Sequence, residues 1–332
     1  MAKKVVTQEM INLLKRTGSL NREESLNATA ELASAIAAPM REGVLPGDIH
    51  SNIFTEIQFQ PGVAVEFPLS FLAPGTEKEY AAYTMPNHGR IPDRKVEGDY
   101  IMVPTFDIAN SIGWSLNYAR DARWDIVGAA MQTYYNGFTQ KMNSDAWHTL
   151  LAAVVDRNIV VYDSAASAGQ FTKRLVSLAK TVMRRNGGGN SSSTNRCKLT
   201  DMYISPEGME DIRDWGVDIV DEITRREIYM AADGSVNRIF QVNLHDIDEL
   251  GEGQEFQNYY TNTLGASLQG SDVELAIGLD LTNPAVFVHP VIEAPQAFPD
   301  PELHRKKLAG VYGWATGGWA NLDSRFSIAL SF

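Results

Sequence analysis

The sequence predicts an α+β chain in which one long amphipathic helix lies against sheet built from segments on either side of it. Three observations predict this. Residues 112–155 contain no proline and repeat large apolar residues in steps of three and four. The stretches 51–105 and 286–332 carry the alternation and turn residues of strands. Between 158 and 283, β-type runs alternate with a helical stripe.

Taken in order, residues 1–50 read as an N-terminal arm. Thr7 to Lys15 fit one short helix stopped at Gly18, and Asn21 with Glu24 has the spacing of a capping box. A second stripe of mostly small residues follows (Leu26, Ala30, Ala33, Ala37, Met40), ended by Pro39 and Gly43. Two helices with so few large apolar side chains cannot form a core. They must lie on this subunit or on another one.

Phe54, Ile57, Phe59, Val63, Val65 and Phe67 alternate, interrupted by Pro61 and Gly62. The following residues, about 65–100, are rich in Pro, Gly and charge and too poor in large apolar residues to be core. A hairpin with some 15 residues per leg would reach about 50 Å. Tyr80, Tyr83 and Met85 near its tip, flanked by Lys78, Arg90 and Arg94, form an amphipathic contact patch that a disordered linker rarely keeps.

The long stripe is Leu116, Trp124, Val127, Met131, Tyr134, Phe138, Met142, Ala146, Leu150 and Val154, with Gln132, Asn136, Lys141 and Asp145 opposite. If continuous over 112–155, the helix would be roughly 65 Å long. Gly128 and Gly137 each cost it about 1 kcal/mol against Ala. Beyond it, Phe171 to Val182 form a helical stripe, 186–195 a Gly/Ser loop, and 199–205 a strand leading into a helix opened by Pro206. Further strands are expected at 236–242, 273–279 and 286–292. A Pro-rich joint (Pro295, Pro299, Pro301) then precedes β runs at 308–315 and 326–332.

Composition excludes several classes. The apolar fraction of 44% across 332 residues suffices for a large core. No window approaches the roughly 18 apolar residues of a membrane span, and the N-terminus lacks the apolar run of a secretory signal. The single cysteine, Cys197, excludes an internal disulfide and indicates a reducing compartment. A net charge of −12 would repel nucleic acid on average.

No motif carries convincing chemistry. Asp246, Asp248 and Glu249 begin like a calcium loop, but Leu250 and Gln257 fall where ligands are needed, so a solvated acidic turn is expected. Ser177 and Lys180 have nucleophile-pair spacing inside an amphipathic helix, with no companion motif. Gly187–Gly189 lacks the Lys-Ser/Thr of a phosphate loop. The six histidines are scattered without metal-ligand spacing. Arg196 and Lys198 would lower the pKa of Cys197 somewhat. Acid pairs such as Asp218/Asp221 and Glu252/Glu255 read as solvated faces. No catalytic, cofactor-binding or metal-binding residue is assigned.

The order of elements resembles the major capsid protein of tailed bacteriophages, the Hong Kong 97-type fold. LTDMYISPEGMEDIRDW (199–215) resembles the strand and helix that open its axial domain. DVELAIGLDLTNPAVFVHPVIEA (272–294) and HRKKLAGVYGWATGGWANLDSRFSIAL (304–330) resemble its closing segment. The resemblance implies an N-terminal arm (1–50) and a first part of the peripheral domain (51–157), with an extended loop at about 65–100 and a spine helix at about 112–155. An axial domain (158–283) would follow, then a return to the peripheral domain (284–332), the last strand free to rejoin the axial sheet.

It further implies a structural protein, no enzyme, that assembles in the host cytoplasm into pentamers and hexamers of an icosahedral virion shell. Double-stranded DNA would be enclosed without specific binding, and no membrane or cofactor takes part. A separate scaffold protein, a portal and a decoration protein are the further partners implied, since no scaffolding segment of roughly a hundred residues precedes the arm. Lys78, Tyr80, Tyr83, Met85, Arg90 and Arg94 would be assembly contacts, Lys78 as an ordinary ion-pair partner rather than a crosslink. The alternatives are an encapsulin-type bacterial compartment and an α/β enzyme with a lid hairpin.

Overall fold

A computed structural model of the chain describes residues 8–41, 49–68, 100–121, 124–186, 197–215 and 238–332. Within them the apolar stripe forms a helix that starts later than its spacing predicts. Residues 112–115 belong instead to strand β4 (Phe106–Ser115). Ser115 then caps a short helix, α4 (Leu116–Arg120), by accepting from the Asn117 N–H at 3.3 Å. The long helix α5 runs Trp124–Asp156. The reason is that Ile108, Ile112 and Trp114 also fit a period of two, and an unbroken antiparallel register with strand β11 (Leu308–Gly317), from Phe106↔Gly317 to Ser115↔Leu308, satisfies that backbone. Along α5, Val127, Met131, Tyr134, Phe138, Ala146, Leu150 and Val154 are buried and Gln132, Asn136 and Lys141 exposed, so the stripe itself is as the sequence predicts.

The chain divides into two compact units. The first holds the described residues up to 65 with 102–146 and 289–319; the second holds 147–288 and 320–332 with 66–68 and 100–101. The division falls inside α5, where the sequence reading placed it after 157.

In the first unit the sheet order is β1 (Thr55–Gln58), β10 (Phe287–Pro299), β11, β4. β10 continues through the expected Pro-rich joint as far as Pro299. Register shifts at Val291/Glu293 and Glu293/Gln296 leave room for proline in a strand. Helix α5 approaches this sheet closely: the Asn110 side-chain amide donates to the Tyr134 carbonyl at 3.1 Å. Helices α1 (Gln8–Thr17) and α2 (Arg22–Arg41), read as an arm, pack on this same unit, α1 against α2 and α4, α2 against β11. Leu14, Ala28, Leu32 and Ala33 are buried there. Gly18 makes the approach feasible, since a β-carbon on it would stand 2.7 Å from the Arg120 backbone nitrogen. The expected capping box is half formed. Asn21 accepts from the Glu23 N–H, but the Glu24 carboxylate takes the Ser19 hydroxyl instead of an Asn21 N–H.

The second unit is built on a six-stranded sheet, in the order β5 (Val160–Tyr162), β13 (Ser327–Ser331), β9 (Leu275–Leu279), β6 (Asp201–Ile204), β8 (Val242–Asp246), β7 (Arg238–Ile239). The last strand of the chain lies in this sheet, parallel to β5 and antiparallel to β9. β6, β9 and β13 are buried along their whole length, which is why they read as continuous apolar runs. Helix α6 (Lys173–Asn186) packs on β5 and β13 through Leu175, Val176, Ala179 and Met183. Helix α7 (Pro206–Asp214) is capped by Ser205, whose hydroxyl accepts from the Gly208 N–H. Its Gly208 lies against Ile204 and Phe332. Trp147, at the unit's end of α5, stacks on Phe256 of helix α8 (Glu255–Asn258), with ring centroids 5.2 Å apart. The strand expected over 236–242 is a hairpin instead. Phe240 and Gln241 take positive φ (48° and 66°) and turn β7 into β8, the two-residue geometry usually signalled by Asn-Gly.

Candidate assembly surfaces

The six residues expected to make contacts between subunits, Lys78, Tyr80, Tyr83, Met85, Arg90 and Arg94, lie in 69–99, outside the described residues. The base of that segment is described. Strands β2 (Glu66–Pro68) and β3 (Tyr100–Met102) form a two-stranded sheet of their own. Just behind it, the Val103 N–H donates to the Val65 carbonyl at 3.0 Å. Every residue of β3 is exposed, Tyr100 to 64% and Met102 to 65%. Phe67 of β2 is buried, whereas Tyr100, Ile101 and Met102 of β3 leave much of their apolar surface to water, a patch that a partner could cover. The signal was in the sequence: Tyr100, Ile101, Met102 and Val103 form an unalternated apolar run directly after a highly charged stretch.

The structure brings together groups that the sequence leaves scattered. His50 and His289 meet edge to face with centroids 5.8 Å apart, and His289 stacks on Trp319 at 4.6 Å. Each imidazole directs Nδ1 at an oxygen, His50 at the Asn143 side chain (3.0 Å) and His289 at the Gly318 carbonyl (2.7 Å). Both therefore carry the proton on Nδ1 when neutral. All three rings are buried and pack the first unit's sheet. Cys197 corrects an expectation. Burial, then the carboxylates Asp280 and Asp323, push its thiol up to about 12, outweighing Arg325 and Arg157. Neighbouring cations in sequence lose to desolvation in space. Lys180, spaced from Ser177 like a catalytic pair, donates to the Phe240 carbonyl at 2.6 Å. Asp246, Asp248 and Glu249 are exposed, and Leu250 is buried.

No protein-family profile matches the chain, and no curated protein sequence is similar to it. Solved structures are similar. The mature capsid of bacteriophage PhiM1 superposes with a TM-score of 0.54 at 11% identity, over 86% of this chain and 87% of that one. The cyanophage Pam1 capsid gives 0.54 at 12%, over 84% and 88%. The capsid of an empty GTA particle gives 0.54 at 11%, over 87% and 90%. The fold is the Hong Kong 97-type capsid fold.

At about one identical residue in nine, the likeness lies in the fold and not in particular side chains. The long helix over a sheet, the separate second sheet and the returning C-terminal strands account for most of both chains.

Proposed function

We propose that the chain is the major capsid protein of a tailed phage, a structural subunit that assembles with copies of itself into pentamers and hexamers of a closed shell around double-stranded DNA. One observation carries this reading: capsid proteins share the fold over more than four fifths of both chains. The first unit then corresponds to the peripheral domain and the second to the axial domain. The 69–99 segment, rooted on the exposed β2–β3 ribbon, is the extended loop that reaches a neighbour through Lys78, Tyr80, Tyr83, Met85, Arg90 and Arg94. Many individually weak contacts of this kind allow errors to dissociate while the closed particle holds through multivalency. The net charge of −12 suits a container that must not trap its polymer. A scaffold protein, portal and decoration protein, assembly in the host cytoplasm and location in the virion follow from the same reading. The encapsulin-type compartment has less support, since the structures similar at a TM-score above 0.5 include phage and GTA-particle capsids.

Negative-stain microscopy of the purified full chain tests the proposal. Closed shells or five- and six-membered rings are expected. A protein that stays monomeric at every concentration and ionic strength tried, and with a co-expressed lysate of its host, overturns it.

A further inference from the structure

The second unit is electrically bipolar. At one end of its sheet the C-terminal half of α6, the residues leading into β6, and the β7–β8 turn enclose a cleft of about 950 Å³. Lys180, Arg184, Arg185, Lys198 and Arg238 line it, and no carboxylate does among the described residues. In a chain of net charge −12, five cations around one cleft run against the background. An anion seated among them would relieve their mutual repulsion. The rim is strained as well as charged. Phe240 and Gln241 both hold positive φ, and Phe240 leaves 37% of its surface in water while its carbonyl takes the Lys180 ammonium. Exposed aromatic and arginine side chains gathered in a concavity are what protein–protein contact centres are made of.

The opposite end of the same strands carries the opposite sign. β6 and β8 run parallel, Asp201 beside Asn243 and Ile204 beside Asp246, so Lys198 and Phe240 stand before their starts and the turn 246–252 follows their ends. At about 3.3 Å per residue the two ends of β8 are about 13 Å apart. Asp246, Asp248, Glu249 and Glu252 are all exposed on that turn, and Glu207 lies beside it, its carboxylate 3.2 Å from where a Gly251 β-carbon would stand. The helices follow the same polarity: α6 ends with Arg184 and Arg185 at the cationic pole, and α7 begins with Glu207 at the acidic one.

We propose that the second units of neighbouring copies join head to tail, the cationic cleft of one copy receiving the acidic turn 246–252 of the next. This inference rests on the shell reading above and gives it a specific ring contact. The two poles stand at opposite ends of one rigid sheet, so a unit cannot neutralise itself through them. A heterologous contact of this kind closes by rotation into a ring. Every copy supplies both halves in equal number, which a nucleic-acid partner for so acidic a chain would not.

Charge reversal tests it on the full chain. One variant carries Arg184→Glu, Arg185→Glu and Lys198→Glu; a second carries Asp248→Lys, Glu249→Lys and Glu252→Lys, which reverses the sign of the cleft and of the turn respectively. All six positions are exposed, so each subunit should keep the circular dichroism of the original chain and still melt cooperatively. Each alone should lose at least tenfold in assembled rings or shells, measured by sedimentation and microscopy. Joining all six changes in one chain should restore rings and shells, because every copy then carries matched poles of exchanged sign. Mixing the two variants should restore six-membered rings only, since a five-membered ring cannot alternate them. Carbodiimide should couple Lys198 to the turn between isotopically distinct copies. The inference is overturned if either reversal assembles like the original chain while the original forms shells, which leaves the shell reading intact. It is also overturned if the mixture and the sixfold variant both stay unassembled. Retardation of a DNA duplex at 0.15 M salt, abolished by the cleft reversal alone, would reassign the cleft to nucleic acid. Couplings confined to single copies would reassign it to the chain's own acidic residues. Failure of the original chain to assemble at all removes the shell reading and this contact with it.

Discussion

Tyr134 on α5 lays its phenol oxygen over Gly313 on β11, at a place where the strand offers no side chain. A β-carbon there would collide with that oxygen and with the Gln296 carbonyl of β10. The glycine thus sets how near the long helix comes to the first unit's sheet. Tyr134 is 1% exposed, and its hydroxyl finds no hydrogen-bond partner among the described residues. Burial, helped by Tyr135, raises its pKa to about 12. Gly313→Ala should therefore cost about 3 kcal/mol or more, since backbone as well as side chain must yield. Tyr134→Phe should be neutral or stabilise by up to about 1 kcal/mol, because it removes a buried hydroxyl that bonds to nothing. Urea unfolding of the two variants checks both. Equal and small effects would mean that the helix is free to ride away from the strand.

Glu274 gives a pH dependence with a definite sign. Its carboxylate is 7% exposed and hydrogen-bonded to the fully buried Ser205. Burial raises its pKa above the ordinary 4.5; the Ser205 hydroxyl works against this, and Glu207, Asp211 and Glu252 add to it. The folded chain then holds a proton that the unfolded chain has already released. Stability falls as pH rises from about 4.5 through the raised folded value, and the loss persists above it. Glu274→Gln keeps an acceptor for Ser205 and removes the charge. It should raise the melting temperature at pH 7 and flatten its decline above pH 4.5. A lower melting temperature at pH 7 with an unchanged pH profile would show that the carboxylate is stabilising where it stands.

How far the sequence spoke depended on whether one period was enough. The stripe from Val127 to Val154 allows a single reading, and all of its residues but the half-buried Met142 are buried; Thr139, Trp147 and Leu151, which it does not name, widen the buried face. Residues 112–115 allow two, because Ile112 and Leu116 are four apart while Ile112 and Trp114 are two apart. Pairing with β11 decides between them, and β11 lies near the other end of the chain. Phe240 and Gln241 carry no turn signal, since their positive φ is imposed by the strands they join. Cys197 misled for a related reason: adjacent cations are visible in the sequence and burial is not. Residues 69–99 are marked in the sequence mainly by a shortage of large apolar residues, and such a negative pattern marks a segment without fixing its contacts. The cationic cleft was invisible because α6, the approach to β6 and the β7–β8 turn meet only after folding.

Arg325 and Asp323 show where a surface-like pair is in fact structural. The Arg325 side chain is 3% exposed and Asp323 18%. The guanidinium donates from Nε at 2.9 Å to one carboxylate oxygen, and from Nη2 at 2.6 Å to the other. Asp323 also accepts the Arg325 backbone N–H at 3.0 Å, fixing the turn that leads into β13. Arg325→Ala strands a half-buried carboxylate and should cost about 3–5 kcal/mol. Arg325→Lys should recover only part of this, because an ammonium cannot reproduce the forked geometry. Thermal melts of the two variants test the order. Indifference to both would place the pair among ordinary exposed ion pairs, worth about 0–1 kcal/mol.

Substitutions on the β2–β3 ribbon can test folding and assembly separately. Tyr100 and Met102 are among the most exposed large apolar residues described, so replacing both with Ser removes little buried area. The melting temperature should move by no more than the equivalent of about 0.5 kcal/mol. If these side chains are covered only in the assembled shell, the same change should strip about 1.5–3 kcal/mol per side chain from each contact. Repeated around a closed particle, that deficit should convert shells into free subunits or rings. Deleting residues 76–90 should act in the same direction and more completely, leaving a soluble subunit with an unchanged far-ultraviolet spectrum. Both variants need the same two measurements, a melt and a sedimentation profile. Normal particles from the deletion would remove the loop's assigned role, whereas an unfolded Tyr100→Ser/Met102→Ser subunit would show that the ribbon is already buried within one chain.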